Sequence, residues 1–167
     1  MKRVAAVGLG LGLALALTAC GDDASGQDAD NPTADRTGPL PDEGSASCVE
    51  SYDPQAVAGR SFAFDGEVVK IGPSVSDRGD GADLNLQGVT FQVQEWFSGG
   101  QDDTVTVDML LPGSSSEGGD AYGIGSRLLV SGEPRWGGSP LSAPIAWACE
   151  FSRYYDADTA TAWRDAS

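Results

Sequence analysis

The side chains of this chain that could do chemistry are carboxylates and a few cysteines, tryptophans and arginines, because the sequence contains no histidine. Histidine is the side chain that titrates nearest neutral pH and the commonest zinc ligand, so its absence excludes Ser-His-Asp and Cys-His nucleophilic catalysis. Two carboxylates flanking a glycosidic bond could still hydrolyse it. Spacing nominates Asp65 with Glu67 and Asp102 with Asp103, but the same spacing describes solvated surface acids. Asp77, Asp80 and Asp83 alternate with glycine in "DRGDGADLN" at 77–85, as oxygen ligands do in calcium loops. The stretch lacks the closing bidentate glutamate of an EF-hand, and its partial likeness to a calcium-binding nonapeptide occurs once, where such repeats need stacked neighbours. An acidic surface loop is the plainer reading, and no cofactor or metal is expected.

Binding chemistry has a clearer candidate. In "EPRWGG" at 133–138, Trp136 stands beside Arg135 in a loop with no other use for bulk. Trp and Arg are the types that dominate binding energy when a partner covers them. The alternative is that Trp136 folds back on the domain. Trp96, expected opposite the apolar face of its strand, is a second candidate. With ten basic against twenty-five acidic residues and a net charge of −15, the chain has no basic patch of the kind that holds phosphate backbones, and nucleic acid is not an expected partner.

The cysteines divide by their surroundings. Met1-Lys2-Arg3 is positive and Val4 to Leu17 is an oily run, the order of a secretory signal peptide. As a helix that run reaches about 21 Å, short of a hydrocarbon core of about 30 Å, so it does not read as a permanent span. It closes on Leu17-Thr18-Ala19-Cys20, which resembles the bacterial lipobox, a leucine and two small residues before the cysteine that is acylated. The resemblance implies removal of 1–19, a diacylglycerol on the Cys20 thiol, palmitate among its acyl chains, and anchoring on the outer face of the bacterial cell membrane. The alternative is an ordinary signal peptide with an incidental cysteine. Each buried acyl methylene contributes about 0.8 kcal/mol, and more than one chain makes anchoring stable. Residues 20–47 are mostly Gly, Ser, Ala, Asp, Pro and Thr, with no aromatic residue and few large apolar ones, too polar to offset their ordering entropy, and are expected to be a disordered acidic tether. Cys48 and Cys149 then remain as an even pair in an exported domain, which argues for a disulfide that closes the domain on itself. The chain-entropy model gives such a long loop about 4.7 kcal/mol.

The elements that must position these residues are short strands. Asp53, Pro54 and Gly59 mark an N-cap, a first helical position and an end, predicting a brief helix. Ser61 to Ile71 reads as a strand with Phe62, Phe64, Gly66 and Val68 on one side. Val89 to Phe97 alternates, with Val89, Phe91, Val93 and Phe97 on one face, and pairs as a hairpin with Asp103 to Leu111. Arg127 to Ser131 and Ile145 to Cys149 are further strands, and Asp158 is expected to cap a closing helix that carries Trp163 inward.

This order resembles the netrin-like, or TIMP-like, OB-fold domain found in animal metalloproteinase inhibitors and in many bacterial exported proteins. The matching pieces are Cys48, the short helix, "FAFDGEVV" at 62–69, "VTFQVQEWFSGG" at 89–100, "DTVTVDM" at 103–109, "YGIGSRLLVSG" at 122–132 and Cys149. The resemblance implies a mainly β fold over 48–167: a small OB-like barrel with an N-terminal and a C-terminal helix and one disulfide. A generic β-sandwich is the alternative. Inhibitors of that family chelate a protease zinc through a free N-terminal cysteine, whereas Cys48 is internal, so the resemblance extends to the fold and not to the inhibition. The expectation is a lipid-anchored module that binds an unknown protein or envelope partner without catalysis; a calcium- or carboxylate-dependent envelope enzyme is the alternative. In the native product the mass should correspond to a chain starting at an acylated Cys20, and Cys48 and Cys149 should resist alkylation until reduced; unreduced labelling of both thiols would contradict the pairing.

Overall fold

The computed structural model describes residues 36–40, 51–79, 86–110, 122–146, 149 and 151–167. The expectations for 1–19, Cys20, Cys48, Asp80 and Asp83 lie outside the described residues. Along the chain come β1 (Gly38–Pro39), α1 (Pro54–Val57), β2 (Phe62–Pro73), β3 (Leu86–Ser98), β4 (Thr104–Leu110), β5 (Arg127–Pro134), β6 (Pro144–Ala146), β7 (Arg153–Tyr154) and α2 (Ala157–Ala166). The strand order is β1-β7-β5-β2-β3-β4-β6, and a further pairing of β5 with β6 closes β2, β3, β4, β6 and β5 into a five-stranded barrel. Its pairs are antiparallel except β4 with β6, which run parallel and meet at Asp108 and Ile145. The fold is a small OB-like β-barrel with two helices, not a sandwich.

Alternation fills it. Phe62, Phe64 and Val68 from β2, Val89 and Phe91 from β3, Val105, Val107 and Met109 from β4, and Leu128 and Val130 from β5 form the barrel core. The opposite faces of β2 and β5 send Ala63 and Leu129 into a second cluster with Val57 of α1, Phe151, and Ala160 and Trp163 of α2. Asp53 caps α1 by accepting from Gln55 N at 2.8 Å, as its sequence predicts. At α2 the cap is Asp156, which accepts from Thr159 N at 2.8 Å, not Asp158; Asp158 sits in the first turn, because the helix begins two residues before the expected start. Trp163 is fully buried and donates its indole N–H to Tyr52 Oη at 2.9 Å.

The alternation of β3 does not persist to its end. Its register against β2 slips between Ala63 and Phe64 and again between Asp65 and Gly66, so Phe64 faces Trp96 and Gly66 faces Val93, with Gln94 and Phe97 left as extra residues. Each extra residue reverses the side to which the next side chain points. Trp96 therefore packs with the barrel core, 5.0 Å from the Phe64 ring, and Phe97 turns out against Trp163 at 5.9 Å. This exchanges the faces expected for the two aromatics.

Part of the expected tether is also ordered on the domain. Gly38 and Pro39 pair with Tyr154 and Arg153 of β7, and Arg36 Nη1 donates to Tyr154 Oη at 3.2 Å. An edge strand offers unpaired backbone groups that even a polar segment can satisfy. Removing Trp163, the largest fully buried side chain, empties the seam between α2 and the barrel. Trp163→Ala should cost about 3–5 kcal/mol, read as a lowered denaturation midpoint.

Candidate functional site: the barrel mouth

Two loops meet against the barrel at what we call its mouth, β2–β3 at 74–85, described through Gly79, and β5–β6 at 135–143. They are joined through Asp108. Alternation puts Val105, Val107 and Met109 in the core, so Asp108 belongs to the outward face of β4, where solvent is expected; it is nevertheless 0 % exposed. Cover comes from the chain leaving β2. Ser74 Oγ and Ser76 Oγ each donate to Oδ2 at 2.5 Å, Ser76 N donates to Oδ2 at 2.8 Å, and Val75 N donates to Oδ1 at 2.8 Å. Gly88, directly opposite Asp108 in the β3–β4 register, makes this approach possible, because a Cβ there would strike the Pro73 carbonyl. Glycine is the residue that allows backbone to pass so close.

Burying a carboxylate costs several kcal/mol unless its lone pairs are satisfied. Burial pushes the Asp108 carboxyl up, but the Ser74 and Ser76 hydroxyls and the Val75 and Ser76 amides, all bonding the charged form, outweigh it and hold the group below its ordinary 3.8. Hydrogen bonds to a charged group are worth about 1.5–3 kcal/mol each.

Ser76 carries the link onward. Its Oγ accepts from Arg135 Nη1 at 3.2 Å and its carbonyl accepts from Trp136 Nε1 at 2.9 Å. The guanidinium carbons of Arg78 and Arg135 lie 4.5 and 4.7 Å from the Trp136 ring centroid, within cation–π range. Val75, held between the two serines, turns its side chain to solvent and is 52 % exposed. The mouth thus presents two guanidiniums on an indole beside an exposed valine. Of the other arginines, Arg60, Arg127 and Arg164 form ion pairs with Glu133, Asp65 and Glu95.

Trp136 and Arg135 are accordingly brought together with Ser76 and Arg78, half-buried and with the indole N–H already spent. Trp96 is elsewhere: its indole N–H donates to Asp102 O at 2.8 Å across the β3–β4 turn. Asp65, 2 % exposed, holds Arg127 bidentately, and that guanidinium carbon lies 3.6 Å from the Tyr155 ring centroid; Glu67 is exposed. Asp102 and Asp103 are exposed, and their carbonyls serve the hairpin turn by accepting from Trp96 Nε1 and from Val93 N. Asp77 is exposed and accepts from Gly79 N at 2.8 Å in a local turn. Among the described residues no three His, Cys, Asp or Glu side chains group as metal ligands. Cys149 is half-buried against the second cluster with a left-handed φ of 64°. Asp108 and Ser76 have no distinguishing mark in the sequence; the one hint is Ser-x-Ser just beyond a strand, a spacing that sends two hydroxyls to one side.

No family model matches this chain, and no curated protein shows a significant match to it.

Asp108→Asn keeps the shape but turns an amide N–H₂ toward the Val75 N–H if its oxygen is to keep the two serines. That conflict should cost about 1–3 kcal/mol and loosen the mouth, seen as a change in Trp136 fluorescence. A folded carboxyl below its unfolded value stabilises the fold above the unfolded value and loses that contribution as pH falls through the folded one. Acid titration should therefore release the loop only below pH 3.8, and this step should vanish in Asp108→Asn.

Proposed function

We propose that this chain is a lipid-anchored extracytoplasmic binding module, held to the outer face of the bacterial membrane through Cys20, whose barrel mouth engages an envelope or extracellular protein partner without catalysis. The observation that carries the reading is the mouth itself: Trp136 under Arg78 and Arg135, with Val75 exposed beside it, all fastened to one buried carboxylate. OB-folds bind through the loops that follow the first and fourth barrel strands, the places that β2–β3 and β5–β6 take here. Arginine and tryptophan held in place before binding lose little entropy on contact, which favours affinity. The lipobox-like "LTAC" at 17–20 supports the anchor. The lack of histidine supports a role in binding over one in turnover.

A photo-crosslinking side chain at Val75 on intact cells should join the domain to a discrete partner, and the same probe at Val69, exposed on β2, should not. Arg78→Ala combined with Trp136→Ala should reduce that crosslink while the barrel still melts cooperatively. Equal crosslinking at both positions, or no effect of the double substitution, counts against the mouth. Cys20→Ala should move the protein from the membrane fraction into the soluble fraction.

A further inference from the structure

Two guanidiniums meet on one indole in a chain whose net charge is −15. Most of the other described arginines are matched within the fold: Arg60, Arg127 and Arg164 pair with carboxylates, Arg36 donates to Tyr154 Oη, and Arg153 lies 4.3 Å from the Tyr52 ring centroid. At the mouth, Arg135 is tied back to Ser76 Oγ. Arg78 is exposed, sits over the Trp136 ring, and makes no hydrogen bond or ion pair with a described residue. Its neighbour Asp77 is turned to Gly79 N instead, at 2.8 Å.

Attraction to a ring fixes a guanidinium without using its N–H donors, so Arg78 keeps them for a partner. Their planar fork matches a carboxylate in two parallel hydrogen bonds. The platform beneath is fixed as well, since Trp136 is held by the Ser76 carbonyl and Ser76 by Asp108, so little side-chain entropy is lost on pairing. Val75, one residue before Ser76 and 52 % exposed, adds an apolar contact next to the cation. The net charge then decides between anions. A phosphate polymer would bring many negative charges within about 8 Å, the screening length at physiological salt, of a chain that repels them. A single carboxylate on a protein surface meets the local cation with far less of that repulsion. We infer that Arg78 receives the carboxylate of an Asp or Glu side chain of the partner protein, and that a large aliphatic residue next to that acid covers Val75. This rests on the reading of the mouth as a protein-binding face.

The test measures fluorescence anisotropy of rhodamine-labelled peptides against the full lipidated protein in nonionic detergent. The peptide Gly-Leu-Glu-Leu-Gly should bind about tenfold more tightly than Gly-Leu-Gln-Leu-Gly, the contribution of one charge-assisted pair. Arg78→Glu should remove that preference without lowering the melting temperature, and Arg78→Lys, which keeps the charge but loses the fork, should retain part of it. Lys70→Glu changes the net charge equally at an exposed position on β2 and should leave the preference in place. Equal binding of the two peptides, a preference that survives Arg78→Glu, or tighter binding of polyphosphate than of the Glu peptide overturns the proposal. Absence of a Val75 crosslink on cells overturns the reading of the mouth and the inference with it, whereas a crosslink that forms while the two peptides bind alike overturns the carboxylate alone.

Discussion

A carboxylate buried on the outward side of a barrel strand is the constraint on which the mouth depends. Asp108 can remain charged without water only because the chain leaving β2 surrounds it with two hydroxyls and two amides. That requirement dictates the path of residues 74–76, and Ser76, once held, offers its own oxygens to Arg135 and Trp136. The β2–β3 and β5–β6 loops are thus joined by a polar knot, and a polar knot has a defined geometry where an apolar contact between glycine-rich loops would slide. Val75 is pushed outward by the same arrangement, since both neighbours turn inward.

The knot also stands at the thinnest part of the barrel. β6 is three residues long and meets β4 at Asp108 and Ile145, so the ring closes through little backbone pairing. The loop clamped over Asp108 adds side-chain bonds across that region from β2. The hydrogen bonds around Asp108 and the closure of the barrel therefore draw on the same residues.

The local elements were legible in the sequence wherever a single periodicity persisted. Alternation located β2, the first half of β3, β4 and β5 and the core they share, and Asp53 with Pro54 located α1. Two slips of register in β3 defeated the same reasoning for Trp96 and Phe97, because a bulge is a property of a strand pair and leaves no mark on either strand alone. The docking of residues 36–40 was hidden for a related reason: their composition is that of a linker, and it is the edge of β7 that gives them a place. At the site, Trp136 and Arg135 stood out by type, whereas Asp108 and Ser76 looked like any polar residues of a strand and a loop.

What the sequence determined by itself was whatever depends on neighbours in the chain: strand faces, a helix cap, the order of charge and oil before Cys20, and the exclusion of histidine chemistry. Tertiary structure alone decided which acid would be buried and which tryptophan would reach the mouth. The physical reason is that desolvation and hydrogen bonding act between groups far apart in sequence. Asp108 is separated by more than thirty residues from the serines that cover it, and Trp136 by sixty from the carbonyl that holds it.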